Sequence, residues 1–244
     1  MKRTKTLIIA SCGLEQKHIT LETMGALKKC GTVFSHCLDA ADGGFIAKAC
    51  ARFESLREVP RYGMAARLKE AFREHDVVGF LTYGNPLFLN RTTARLTGEM
   101  AASGIRVTVL PAVSSFDSIV NLMDLNIFSP AGLRLVDTGP AVKDLKIAAE
   151  MDTLFFVAGE LNAPGCERAR GIFLKKLEAA YPGRHPVFLI NLPCIGSEPE
   201  RLVKTTVSGL KTVLSGADRL TTILVRAYRK KKRGGKRTRA RSSE

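Results

Sequence analysis

The 244-residue chain has no run of about 18 or more apolar residues, so no transmembrane helix is expected. No two of its six cysteines (Cys12, Cys30, Cys37, Cys50, Cys166 and Cys194) sit at C-x-x-C spacing. Its four histidines (His18, His36, His75 and His185) form no H-x-x-x-H pair. Both absences argue against zinc, so no metal is expected. The thiols read instead as free and wholly or partly buried, in a reducing compartment. A signal peptide is not expected either. The apolar stretch Leu7–Ala10 after the basic start is too short, and it reads as a first strand with a cytoplasmic address. There is no internal repeat of fixed period and no long flexible linker. What remains is the composition of an ordinary soluble globular protein, 45% hydrophobic and 25% charged. The length suffices for one large or two modest domains.

The net charge of +15 is unevenly spread. Residues 229–244 hold nine Lys or Arg against one Glu, which is more than half of it. This segment has no apolar periodicity and is expected to be a disordered basic tail. An electrostatic contact with nucleic acid or an acidic partner is one reading of it, and a solubilising tail is the other. No aromatic residue interleaves with its charges, so base stacking is not supported.

Ahead of the tail, apolar runs alternate with helical periods. The pattern predicts strands at Thr6–Ala10, Thr32–Ser35, Val77–Thr82 and Val107–Leu110. Helices are predicted at Thr20–Lys29, Gly43–Phe53, Gly63–Glu74 and Asn90–Ala102. Beyond Ser115 the alternation loosens. It gives helices at Phe116–Leu122, Val142–Met151, Ala169–Ala180 and Arg201–Leu214, and strands at Leu133–Val136, Thr153–Ala158, Val187–Ile190 and Thr221–Val225. Continuous apolar strands alternating with helices predict an α/β fold built on a mostly parallel sheet covered on both faces. The segment Asp124–Pro130 interrupts the pattern. The expected organisation is an N-terminal α/β domain over 1–118, a C-terminal α/β domain over 119–228, and the tail.

Two loops after predicted strands carry the chemistry. The first is Tyr83-Gly84-Asn85-Pro86-Leu87-Phe88. Gly84 lets backbone approach a ligand, Pro86 fixes the turn, and the helix beyond exposes N–H groups suited to a carboxylate. The second is Pro111-Ala112-Val113-Ser114-Ser115-Phe116. Its serine hydroxyls can cap the next helix or hydrogen-bond a ligand. In open α/β sheets, ligands bind outside the carboxyl ends of the strands, where both loops are expected.

Together these loops resemble the central signature of the tetrapyrrole methylases, in the letters Gly84-Asn85-Pro86, Gly104-Ile105 and Leu110-Pro111-Ala112-Val113-Ser114-Ser115. Strand Leu7–Ser11, Gly13 and Ile19-Thr20-Leu21 are similar to the family's start. Asn85 stands where the family usually has Asp, and Ala112 where it has Gly. The resemblance covers about residues 6–160. It implies two α/β domains, S-adenosyl-L-methionine as cofactor in a cleft between them, and a homodimer. By the same resemblance Gly84, Asn85, Phe88, Ser114 and Ser115 hold the cofactor. Cys12 and Gly13 from one domain, and Phe156 and Val157 from the other, complete the pocket.

A narrower resemblance is to the borosins, peptide backbone N-methyltransferases of the same superfamily. It rests on Pro60-Arg61-Tyr62, on the tyrosine of Tyr83-Gly84-x-Pro86, and on Ile19–Thr23. The flanking tyrosines of that subfamily are absent, with Ser55 and Ala65 near their places. It implies Arg61 as stabiliser of an anionic amide or a carboxylate, and Tyr62 or Tyr83 as proton acceptor or relay. A peptide backbone is thus the first expected methyl acceptor, a tetrapyrrole the second and RNA the third. Two other classes stay open. One is a nucleic-acid-associated scaffold acting through its tail; the other is an interaction subunit that has lost catalysis.

Overall fold

The computed structural model describes residues 4–39, 43–126, 129–139, 142–194 and 199–228. The basic tail lies outside them. The chain divides into two compact units, Met1–Ile127 with Ile190–Leu202, and Phe128–Leu189 with Val203–Glu244.

The first unit is built on five strands, β1 (Thr6–Ser11), β2 (Thr32–Ser35), β3 (Phe53–Ser55), β4 (Val77–Thr82) and β5 (Arg106–Val109). Their order is β3-β2-β4-β1-β5, and each pairing is parallel. The helices are α1 (Leu21–Leu27), α2 (Gly44–Ala47), α3 (Met64–Ala71), α4 (Arg91–Ala101) and α5 (Ser115–Leu122). The two-residue period of β1 assigns its faces. Leu7 and Ile9 pack with Met64 and Leu68 of α3 and Leu96 and Met100 of α4. Ile8, Ala10 and Cys12 turn the other way, toward Leu27 of α1 and Ile46 of α2. Burial on both faces is why β1 and β4 read as near-continuous apolar runs. Thr20 caps α1 by accepting from Thr23 N at 3.0 Å, and Glu22 sits in the first turn, where the helix dipole favours an acid.

One predicted helix of this unit is corrected. Gly43–Phe53 is a single helical turn, Gly44–Ala47, followed by the strand Phe53–Ser55. All four residues of β2 are buried, and the backbone of its outer edge needs partners. The 53–55 segment supplies them, with Val33 paired to Phe53 and Ser35 to Ser55.

The second unit carries β6 (Leu133–Asp137), β7 (Asp152–Phe156), β8 (Pro186–Asn191), β9 (Arg201–Thr206) and β10 (Thr222–Val225), in the order β6-β7-β10-β8-β9. Its helices are α6 (Glu167–Ala180) and α7 (Leu210–Leu214). The β6–β7 pair is parallel and the β7–β10 pair antiparallel, so this sheet is mixed. Its core gathers Phe155, Phe173, Leu177, Leu210 and Ile223, with Phe155 and Phe173 edge to face at 5.2 Å.

Two more predicted helices fail here. Val142–Met151 is irregular. Its backbone turns inward to Lys176, whose Nζ donates to the carbonyls of Val142, Lys143 and Leu145 at 3.2, 2.6 and 2.7 Å. Tertiary contact thus overrides the propensity of an Ala- and Lys-rich segment. Arg201–Leu214 is strand β9, a turn and then α7. Val203, Thr205 and Thr206 favour the strand, and Gly209 sits where a Cβ would lie 2.6 Å from Thr205 Oγ1.

Candidate functional site

The carboxyl ends of β4, β1 and β5 are neighbours in the first sheet, and each leads into a loop rich in predicted site residues. The connection from β1 runs toward β2, whereas that from β4 crosses β1 to reach β5. Such a reversal opens a crevice at the strand ends of an α/β sheet.

The first two loops are joined. Cys12 N donates to Thr82 O at 3.1 Å, and Gly84 N donates to Gly13 O at 2.9 Å. Both glycines have positive φ, 70° at Gly13 and 61° at Gly84. At Gly13 a Cβ would fall 2.4 Å from His18 Cβ, so that glycine closes the turn against its own loop. At Gly84 a Cβ would meet no atom within 4 Å. The bare backbone of Gly84 therefore faces open space.

Asn85 works in the turn itself, where its Oδ1 accepts from Leu87 N at 2.9 Å. Phe88 N donates to Asn85 O at 3.1 Å. The turn ends in strain, with Leu89 at φ 53° and 40% exposed. Asn90 then locks it down. Its Oδ1 caps α4 by accepting from Thr93 N, and its Nδ2 donates to Thr82 Oγ1 at the end of β4, both at 3.0 Å. Sequence reasoning placed Asn90 at a helix start and missed this tie.

After β5, Ser114 is buried and caps α5. Its N and Oγ donate to Asp117 Oδ2 at 2.7 and 2.8 Å, and its Oγ accepts from Asp117 N. The S-x-x-D spacing was the signal for this reciprocal cap. Ser115, half-buried, begins the helix.

The residues expected to act on a substrate come from two separate connections of the first unit. Tyr83 is half-buried at the end of β4, with its ring 6.4 Å from that of His36, which stacks on Phe80. Arg61 and Tyr62 lie in the connection from β3 to α3, and Tyr62 is 82% exposed. Among the described residues no hydrogen bond, ion pair or ring contact joins either of them to Tyr83. A surface groove of about 710 Å³ beside the β1–α1 loop is lined by Glu15, Gln16, Lys17, Ile19, Met24, Phe45 and Lys48. None of these is a predicted cofactor residue, and the strand ends carry the better chemical case.

In the second unit, Phe156 ends β7 and is buried, and its carbonyl accepts from both N and Oγ1 of Thr138. Val157 follows at φ 60°, ψ 36°, a left-handed conformation that a β-branched residue rarely adopts. The sequence pattern continued the strand through both; the backbone instead breaks at Val157.

Residues 6–211 match the sequence profile of the tetrapyrrole (corrin/porphyrin) methylases. The chain belongs to that family. It is accordingly an S-adenosylmethionine-dependent methyltransferase. No curated relative matches at the sequence level. Solved structures of similar fold include a uroporphyrin-III C-methyltransferase from Thermus thermophilus (TM-score 0.65, 16% identity, 91% of each chain covered). Another is the cobalt precorrin-4 methyltransferase CbiF (TM-score 0.67, 18% identity, 90% of this chain and 94% of that one). A Thermus thermophilus enzyme complexed with S-adenosylhomocysteine also matches (TM-score 0.65, 14% identity, 90% and 96%).

The described residues fit this family's cofactor. At the strand ends Ser11 and Thr82 are fully buried and uncharged, Ser114 is buried, and Gly84 leaves backbone bare. When bound, the cofactor supplies a methyl group on a sulfonium, and a neutral polar cradle suits that charge better than a basic one. Were the cofactor bound there, Gly13, Gly84 and Ser114 would be the residues to orient it.

Proposed function

We propose that the chain methylates a tetrapyrrole, a corrin or porphyrin precursor, at carbon. The observation that carries this reading is the family match over 6–211. Similar folds in enzymes named for uroporphyrin-III and cobalt precorrin-4 support it. The charge ahead of the basic tail remains positive, which favours a substrate bearing several carboxylates. Peptide backbone methylation rested on Arg61 and Tyr62 acting with Tyr83, and the exposure of Tyr62 weakens that grouping. A homodimer, and an anionic partner for residues 229–241, belong to the same proposal.

The test is incubation of the full chain with S-adenosylmethionine and a reduced uroporphyrin- or precorrin-type tetrapyrrole, followed by mass spectrometry. The expected product gains one methylene mass per transfer, with matching release of S-adenosylhomocysteine. Methylation of a peptide while tetrapyrroles stay untouched would reverse the ranking.

A further inference from the structure

Among the described residues, those other than glycine at positive φ are Leu89 at 53°, Asp124 at 49° and Val157 at 60°. An aspartate enters the left-handed region readily, whereas leucine and valine do so against a steric penalty. Val157 is already a predicted cofactor residue. Leu89 has no assigned role, yet it closes the loop that carries Gly84 and Asn85.

The turn itself does not need a leucine. Glycine or asparagine accepts such a φ with little strain, and Asn90 stands one position away. Burial does not repay the strain either, because Leu89 is 40% exposed. Leu87 is 65% exposed, whereas Pro86 is buried and Phe88 half-buried. A single exposed leucine is ordinary on a protein surface. One held out by a strained backbone, with a second beside it, is not.

Hydrogen bonds fix the strain from both sides. Asn85 Oδ1 accepts from Leu87 N at 2.9 Å, and Asn85 O accepts from Phe88 N at 3.1 Å. Asn90 caps α4 and donates to Thr82 Oγ1. Strain over-determined in this way persists at ligand sites, where binding puts it to use.

We propose that Leu89, with Leu87, positions the methyl acceptor by packing on the apolar ring face of a tetrapyrrole. That role rests on the tetrapyrrole-methylating reading. Gly84 is buried and the two leucines are exposed, so the loop runs outward from the bare backbone of the cradle to the leucines. An acceptor in line with the sulfonium lies on that outer side of the cofactor. A tetrapyrrole offers leucines a broad apolar ring surface and keeps its carboxylates at the rim, in water. A peptide backbone is narrow and rich in hydrogen-bonding groups, and gains more from polar side chains than from two leucines.

The test compares the full-length wild-type chain with Leu89→Asn and Leu89→Met. Each is measured for melting temperature without ligand, for S-adenosylhomocysteine affinity by calorimetry, and for uroporphyrin III affinity by quenching of the porphyrin's fluorescence. Asparagine accepts the left-handed region, so Leu89→Asn should melt about 2 °C higher. It should bind uroporphyrin III about fivefold more weakly through the lost apolar contact, with S-adenosylhomocysteine affinity unchanged. In turnover with a reduced uroporphyrin-type tetrapyrrole, the loss should fall on KM and leave kcat as it was. Leu89→Met keeps an apolar chain and should retain uroporphyrin III affinity without the gain in melting temperature. A lower melting temperature for Leu89→Asn would show that the leucine serves the fold, and would overturn the proposal. Undiminished uroporphyrin III binding by that variant would overturn it too. A matching loss of S-adenosylhomocysteine affinity would move Leu89 from the acceptor to the cofactor. A wild-type chain that binds S-adenosylhomocysteine but no uroporphyrin III would defeat the tetrapyrrole reading itself, a result visible before any variant is made.

Discussion

At the scale of single residues, the proposed cradle turns on Gly84. Any L side chain at its φ of 61° is strained by about 1–2 kcal/mol, although a Cβ there touches nothing. Gly84→Ala should therefore lower the melting temperature modestly. It should weaken S-adenosylhomocysteine binding tenfold or more, because the methyl fills the face a ligand would approach. Wild-type affinity in that variant would remove Gly84 from the cradle. The cysteines give a pH dependence. Burial pushes Cys30 up to about 12 and also raises Cys50, whereas the neighbouring Cys12 thiol and the Ser35 hydroxyl hold Cys37 below the usual thiol range. A lowered value keeps the reactive thiolate present further down the pH scale. Iodoacetamide should accordingly modify Cys37 below the ordinary thiol value of about 8.5, and well before Cys30. Equal pH midpoints for the two would show that the donors around Cys37 do not stabilise its anion.

Elements are positioned by caps that also tie them to the sheet. Thr20 and Asn90 both cap helices by accepting a backbone N–H three residues on. Only Asn90 also reaches a strand, through Nδ2 to the buried Thr82 Oγ1. Thr20→Ala should cost about 1 kcal/mol, and Asn90→Ala about 2 kcal/mol or more because Thr82 loses its donor. Urea denaturation of both variants checks the order, and equal losses would mean the tie to β4 contributes nothing. Much of this layer was legible in the sequence. β2 and β4 fall where continuous apolar runs placed them, and Thr20 and Asn90 announced helix starts by residue type. Three predicted helices were lost or cut short, two of them to long-range causes that a local pattern does not carry. The open edge of β2 recruited residues 53–55, Lys176 drew in the 142–145 carbonyls, and β-branched residues turned 201–206 into a strand. The site divides the same way. The turn at Gly84 and the helix cap at Ser114 were readable from turn and capping chemistry. The tie from Asn90 to Thr82 was not, because only the folded placement of the α4 start against the end of β4 creates it.

At the scale of the whole molecule, two sheets of different character share one chain. The first is wholly parallel among its described pairings and carries the proposed cradle at its strand ends; the second is mixed and carries the strained Val157 at the end of β7. Among the described residues no helix is long and apolar enough to cross a membrane. None of their His, Cys, Asp and Glu side chains gather into a group of three able to hold a metal ion. Family membership fixes the methyl donor and leaves the acceptor to the proposal. The most direct measurement is isothermal titration of the reduced full-length chain with S-adenosylhomocysteine, beside Gly84→Ala. One saturable site per chain, a raised melting temperature in the ligand's presence and a clear loss in the variant are the expected results. Absence of both heat and thermal shift in the wild-type protein would contradict the account.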